Sequence, residues 1–563
     1  MVVNGASGST RRAPAAERAG QSSSLSTPVR LEDGFFASAV RVPDLPAVTT
    51  ATVIWSYREL SEISASWATA LHEAVGGRPQ RVGIFANKEL AAYAGILAGL
   101  RAGATVVPLN PEHPDARLRK VIRSTRLDAV VAGGTSPERI RELVSAVDEP
   151  PRLVLPFVPR SAARIPGMLD AADIERCAAA DFPRQADDGR PAYLLFTSGT
   201  TGEPKGIPIH HRNVTHFLRT AAERYAFTER DRFSQTFNQT FDLSFFDMFM
   251  AWGCGAGIFP MGPRDLLEPA RFITRQGLTV WFSVPSLIAL MRQRRALLPG
   301  RFDTLRWSLF CGEALPEPFA QAWHEAAPGS VIENLYGPTE ATLACMTHRW
   351  VPGASGRLAV NGNVPIGVAN PGLDLRLVDE ELRMVPAGSE GELCVAGPQV
   401  FSGYWSGPGE GGTALCRLPD DPDRRARWYR TGDVVREIEG SQYAFIRRLD
   451  TQLKVRGHRV ETAEIEAVLN GLDDVIHGAV VLAHPDKTES AELVAYVVPR
   501  SGTTLVASRL VARMRADLPA YMIPSRWFFV DTLPLSGNGK IDRKRLTGDA
   551  QESLMAVSAE KDS

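Results

Sequence analysis

The 563-residue chain has no charge excess: 63 Lys and Arg stand against 64 Asp and Glu, a net charge of −1. With both signs interspersed there is no basic stripe for nucleic acid and no polybasic run for an anionic bilayer. Cysteine is scarce. The six thiols, Cys177, Cys254, Cys311, Cys345, Cys394 and Cys416, form no Cys-x-x-Cys pair and no ligand cluster with histidine. That excludes a zinc framework and a disulfide scaffold and fits free thiols in a reducing, cytoplasmic setting. Long apolar runs are missing as well. The longest, around residues 91–109, is broken by Arg101 and by glycines, so no membrane span is expected. Residues 1–30 hold almost no large apolar side chains, which leaves out a signal peptide and predicts a disordered tail.

What the chain does have is 44% apolar residues and the length for more than one domain. Leu60, Ile63, Trp67, Leu71 and Val75 recur at helical spacing. The strand-like Arg81–Phe85 is followed by a helical stretch from Glu89 to Leu100. The next strand is Thr105–Leu109, the next helix 115–126, and a further strand starts at Ala129. Such alternation predicts a parallel α/β sheet. Residues 147–190 show no sustained periodicity and read as a connector. The stretch 549–563 reads as a second disordered tail.

The densest chemistry lies in Tyr193-Leu-Leu-Phe-Thr197-Ser198-Gly199-Thr200-Thr201-Gly202-Glu-Pro-Lys205-Gly206. An apolar run delivers the backbone into a loop of glycines, hydroxyls and one lysine, a composition suited to polyphosphate oxygens. It is not a Walker A loop, because Gly206-Ile-Pro208 after Lys205 argues against an immediate helix.

This loop resembles, almost letter for letter, the signature of the adenylate-forming superfamily, which contains acyl-CoA synthetases, luciferases and the adenylation domains of nonribosomal peptide synthesis. Further strings match that family in order, over about residues 31–546. The resemblance implies an α/β fold: a large N-terminal adenylate-forming domain with parallel sheets (31–449) and a small mobile C-terminal α/β domain (450–548), hinged at Asp450. It implies ATP and Mg²⁺ as cofactors.

By the same resemblance Thr197 to Gly202 and Lys205 close over the β- and γ-phosphates. In Asn334-Leu-Tyr336-Gly337-Pro-Thr339-Glu340, Tyr336 stacks on adenine, Thr339 contacts the α-phosphate and Glu340 holds the magnesium, with Asn334 and Gly337 in the same motif. Asp433 takes the ribose hydroxyls and Arg448 adds a ribose or phosphate contact. Lys540, in Ser-Gly-Asn-Gly-Lys540-Ile-Asp, reaches the reacting carboxylate. After adenylation the small domain swings, Lys540 leaves, and the face carrying Lys454 turns inward to admit a phosphopantetheine thiol.

Asp242, in Phe241-Asp242-Leu-Ser-Phe-Phe246, corresponds to the carboxylate that binds the substrate ammonium in amino-acid-activating members. An ammonium leaving water needs a paired anion. The matching pocket is Asp242, Leu243, Phe246, Phe282, Leu309, Cys311, Gly312, Leu335, Leu343 and Ala344. Apart from its charged end-pieces it is apolar, and it is similar to that of free-standing proline activators. The expected activity is ATP-dependent activation of an apolar amino acid, L-proline first, and transfer to a carrier protein in trans. Rival expectations are an acyl- or aryl-CoA ligase, which has no use for Asp242, and a D-alanine–carrier protein ligase.

Overall fold

The computed structural model describes residues 29–134, 137–159, 167–177, 189–197, 204–405, 411–412, 415–422, 427–449, 452–455, 457–483, 491–500, 505–534 and 541–561. Two nine-stranded sheets form the bulk of it. In the first, Arg81–Phe85 lies between Thr105–Leu109 and Ala129–Ala132, all parallel and buried almost end to end. These near-continuous apolar runs are what a central parallel strand covered on both faces requires. Pro191–Thr197 runs parallel to Thr105–Leu109, and Lys205–His210 then returns antiparallel to it, with Thr197 opposite Lys205. The glycine-rich loop therefore joins two strands, with no helix directly after Lys205.

The second sheet has a parallel centre built from Gly257–Pro260, Arg232–Gln235, Val280–Ser283, Trp307–Phe310 and Val331–Tyr336. Cys311 and Gly312 leave one strand end, and Gly337 to Glu340 leave its neighbour. A crevice beyond the carboxyl ends of parallel strands is where α/β sheets place ligands. One continuous core cluster takes in residues of both sheets and the helices Tyr57–Val75, Leu90–Arg101 and Leu243–Cys254. A third, antiparallel sheet pairs Trp428–Ile438 with Gln442–Arg448, which sets Asp433 opposite Arg448.

From Gln452 onward the chain makes a hairpin, Gln452–Val455 with His458–Glu461, and a three-stranded sheet of Val475–Ala483, Glu492–Pro499 and Arg526–Phe529. The helices Thr462–Asn470 and Ala507–Met514 cover this sheet around its own apolar core.

Three stretches differ from the sequence-based expectation. Within 147–190, Arg152–Val154 and Met168–Leu169 extend the first sheet at its edge, followed by the helix Ala171–Arg176. Elements of two to six residues are too short to show a period. The predicted C-terminal tail is instead part of the helix Arg543–Lys561. Leu546, Ala550 and Leu554, four apart, pack on the three-stranded sheet beside Tyr496. At the other end Arg30 is already ordered: it pairs with Glu32 at 3.2 Å and contacts His211 at 3.2 Å. The rest of the expected N-terminal tail, residues 1–28, lies outside the described residues, as does the expected hinge Asp450. Among the described residues no helix is long and apolar enough to cross a membrane.

Candidate active site

Asp433 anchors one side of the cleft. It is buried on its strand, and both carboxylate oxygens accept hydrogen bonds: from the Tyr336 hydroxyl at 2.5 Å and from Arg448 Nη1 at 2.6 Å. Burial, reinforced by Asp433, pushes the Tyr336 hydroxyl far above its ordinary value, so it stays a donor. Gly337 follows Tyr336 because nothing larger fits. A Cβ there would lie 2.8 Å from the Cys345 amide nitrogen and 2.9 Å from Ala344 Cα. Asn334 has a different position from its motif neighbours. Its side-chain amide donates to the Pro365 carbonyl at 2.9 Å, bracing the loop behind the strand.

Glu340 sits one turn further on, in the short helix Thr339–Ala341, and is 1% exposed. Tyr404 donates to its Oε1 at 2.8 Å and Arg459 to its Oε2 at 2.7 Å. Burial alone would raise this carboxyl, but Arg459 more than offsets it and holds the group below its ordinary range. Among the described residues no three His, Cys, Asp or Glu side chains cluster as a metal site. An ion at Glu340 would thus have one protein carboxylate and complete its shell with phosphate oxygens and water, the arrangement Mg²⁺ takes with nucleotides. The donor set fits.

Asp242 caps the start of the Leu243–Cys254 helix, yet its carboxylate makes no capping bond. It is buried, its Oδ2 has no hydrogen-bond partner among the described residues, and it lines the cleft with Leu243, Cys311, Gly312, Thr339 and Leu343. Burial lifts its pKa to about 6, tempered by the Thr339 hydroxyl and nearby backbone amides. Phe246, Phe282, Leu309, Leu335 and Ala344 do not reach the cleft surface. They are buried beneath it, with the Phe246 and Phe282 rings in edge contact at 5.0 Å. The acid side of the cleft is walled by Leu243, Cys311 and Leu343.

The 452–461 hairpin is seated against this cleft. The Gly457 amide donates to Glu313 Oε1 at 2.6 Å, and Lys454 Nζ lies 5.9 Å from the Tyr336 ring centre. Gly457 has φ +79°, and a Cβ on it would come within 2.4 Å of Val284 Cγ1. Its tip fits only as glycine. A buried ion pair, Arg117 with Glu464 at 2.5 Å, ties the same small unit to the Asp115–Thr125 helix. Beside the hairpin lies a cavity of about 830 Å³ bounded in part by Phe237, Phe241, Val284, His458 and Tyr521. His458 stacks on Tyr521 at 3.8 Å and meets Phe241 at 5.1 Å.

The structure thus brings Thr197, Asp242, Leu243, Cys311, Gly312, Gly337, Thr339, Leu343, Asp433, Arg448 and Lys454 around one cleft. Lys205 lies 5.5 Å from the centre of the ring of Tyr404, the residue that donates to Glu340. Ser198 to Gly202 and Lys540 lie outside the described residues. The sequence reading did not single out Tyr404, Glu313 or Arg459. Each stands inside or beside a motif string (Gly403-Tyr404, Cys311-Gly312-Glu313, Gly457-His458-Arg459), but their pairing partners lie 64 to 144 residues away.

Comparison with known proteins agrees with this geometry. The family model described as AMP-binding enzyme matches residues 35–405, and AMP-binding enzyme C-terminal domain matches 464–540. Tyrocidine synthase 1 of Brevibacillus parabrevis is 30% identical over 91% of this chain, which spans 44% of that synthase's length. The crystal structure of IdnL7 is 37% identical, with a TM-score of 0.69 over 93% of this chain and 99% of that one. The Vibrio cholerae adenylation domain AlmE, solved with glycyl-adenosine-5'-phosphate, is 26% identical and has a TM-score of 0.79, covering 95% of this chain and all of its own. The two-sheet architecture, the cleft at the strand ends and the two family matches together make this chain a member of the AMP-binding, adenylate-forming enzyme family.

Proposed function

We propose that this ATP- and Mg²⁺-dependent ligase activates a compact apolar amino acid, L-proline first, and passes it to the phosphopantetheine thiol of a carrier protein. The observation that carries the amino-acid reading is Asp242: a buried carboxylate, facing the cleft, with one oxygen that has no partner among the described residues. A cation recognised there would meet an already desolvated carboxylate and gain a strong charge-assisted hydrogen bond in exchange for its lost hydration, while a plain acyl or aryl acid would leave that buried oxygen unpaired. The relatives point the same way, since AlmE is named with a glycyl adenylate. The recess side chains Leu243, Cys311 and Leu343 offer no strong hydrogen bond or counter-charge to an amide or charged side chain.

In the first half-reaction an amino-acid carboxylate oxygen bonds to the α-phosphorus of ATP as the bond to pyrophosphate breaks. Both partners are anions, so the task is alignment and neutralisation. Asp242 fixes the ammonium, Thr339 bridges the acid and phosphate sides, and Asp433, braced by Tyr336 and Arg448, receives the ribose. Lys205 and Lys540 are the cations assigned to the phosphates and the reacting carboxylate. Magnesium held at Glu340 would neutralise charge on the leaving phosphates. In the second half-reaction a thiolate takes the acyl carbon and AMP leaves. The seated hairpin with Lys454 and the adjoining cavity suit that step.

The test is amino-acid-dependent ATP–pyrophosphate exchange across the proteinogenic set, with D-alanine, aryl acids and fatty acids included. Exchange with proline alone supports the adenylation step and the reading of the pocket. Exchange confined to an acid without an α-amine overturns the role of Asp242.

A further inference from the structure

We propose that Tyr404 is a positioning residue that sets the spacing between Glu340 and Lys205, and so between the two positive charges, metal and ammonium, that meet the ATP phosphates. This rests on the reading of Glu340 as the metal ligand and of Lys205 as a phosphate contact. The Tyr404 hydroxyl donates to Glu340 Oε1 at 2.8 Å, and the centre of its ring lies 5.5 Å from Lys205 Nζ. One side chain thus touches both groups, the carboxylate with its tip and the ammonium with its face. A hydrogen bond behind a metal-binding carboxylate fixes the carboxylate's orientation. An ammonium within about 6 Å of an aromatic face is held by the ring's quadrupole.

Tyr404 is itself held at both ends of the segment 401–405. At one end the Phe401 amide donates to the Glu340 carbonyl at 2.9 Å, and the Phe401 ring meets the Tyr404 ring edge-on at 5.1 Å. At the other end Trp405 stands opposite Gly206, the residue after Lys205, on an antiparallel strand. Gly206 permits that approach, since a Cβ there would lie 2.8 Å from Trp405 Cβ. The Trp405 indole N–H donates to the Ser124 carbonyl at 3.0 Å, which ties the segment to the Asp115–Thr125 helix. Residues 401–405 therefore run from the backbone and carboxylate of Glu340 to the strand that leaves the glycine-rich loop. None of these contacts involves the small domain.

The experiment measures, by calorimetry on the full-length enzyme, the affinity for α,β-methylene-ATP with and without Mn²⁺. Tyr404→Phe removes the hydroxyl and keeps the ring. It should leave the metal-free affinity unchanged and weaken the Mn²⁺ complex roughly tenfold, the usual effect of removing a partner behind a metal ligand. Tyr404→Leu removes the ring as well and should also weaken the metal-free complex, by roughly two- to tenfold. Each loss should vanish where its target is gone: Tyr404→Phe adds nothing in Glu340→Gln, and Tyr404→Leu adds nothing to the metal-free loss in Lys205→Gln. Equal losses with and without Mn²⁺ in Tyr404→Phe, the mark of a merely structural role, overturn the proposal. So does an unchanged Mn²⁺ complex in Tyr404→Phe when Glu340→Gln weakens it, and the metal role then stands. If Glu340→Gln leaves the Mn²⁺ effect intact, or Lys205→Gln the metal-free affinity, that residue's assigned role fails and the spacing role with it.

Discussion

Two buried carboxylates of the same cleft are treated in opposite ways. Asp433 has both oxygens satisfied by donors from two other segments, Tyr336 and Arg448, before any ligand arrives. Asp242 is equally buried, but among the described residues its Oδ2 has no partner, and its pKa rises to about 6. The first group is held rigid by its neighbours and offers a prepared surface. The second is incomplete, and the missing partner is supplied by what binds. Pre-satisfaction favours positioning at low ordering cost, whereas an unpaired buried anion favours discrimination, because only a ligand bringing a cation relieves it.

The sharpest way to break this contrast is Asp242→Asn. Loss of a buried ionic partner costs about 3–5 kcal/mol, so amino-acid-dependent exchange should fall roughly 10²–10⁴-fold in kcat/KM. The fold should gain. The Asp242 carboxyl lies near 6 in the folded chain and near 3.8 otherwise, so the native state holds the proton more tightly and stability falls as pH rises through that window. Removing the charge should add up to about 3 kcal/mol at pH 7, read as a higher Tm. Lower activity without higher stability would show that Asp242 is already satisfied in the free enzyme.

Asp433→Asn should act on the other half alone. Loss of a charged hydrogen-bond acceptor costs about 1.5–3 kcal/mol, a rise of roughly 10- to 100-fold in the KM for ATP, with the amino-acid KM little changed. If both KM values move together, the two sides are not independent. Gly457→Ala should spare exchange and slow thioester formation by roughly tenfold or more, since the new Cβ strikes Val284 and overpacking costs about 1–3 kcal/mol. The smallest effect is the pH profile. Below about pH 6 the amino-acid KM should climb toward tenfold per unit as Asp242 takes up a proton, while the KM for ATP stays flat over the same range.

The buried strands were legible in the sequence because apolar runs such as Thr105–Leu109 carry their own signal. The motif residues were legible because they stand in tight strings: Tyr336, Gly337 and Thr339 within four positions, and Asp242 among aromatics. What could not be read was anything made by distant segments meeting. The Arg459–Glu340 pair joins residues 119 apart, Arg117–Glu464 joins residues 347 apart, and neither pair has a local signature. The pocket was legible only as a set. Depth was not, and the structure sorts Leu243, Cys311 and Leu343 at the surface from Phe246 and Phe282 beneath it. The terminal helix escaped notice because its core-facing positions, buried Leu546 and Ala550 and half-buried Leu554, are few and one is only alanine.

Leu343 is reached through an unusual piece of backbone. Thr342 and Leu343 are consecutive non-glycine residues at positive φ, 56° and 75°. That turn folds the chain back so that the Cys345 amide can donate to the Tyr336 carbonyl at 2.8 Å across the space Gly337 leaves open. For anyone reshaping substrate preference, the consequence is an uneven palette. At Leu343 a β-branched replacement such as valine or isoleucine meets a left-handed backbone it tolerates poorly, while glycine or asparagine would relax it. Variation at this wall of the recess is therefore steered toward small or flexible side chains by the main chain itself. Bulk is more readily added or removed at Leu243, which lies within an ordinary helix.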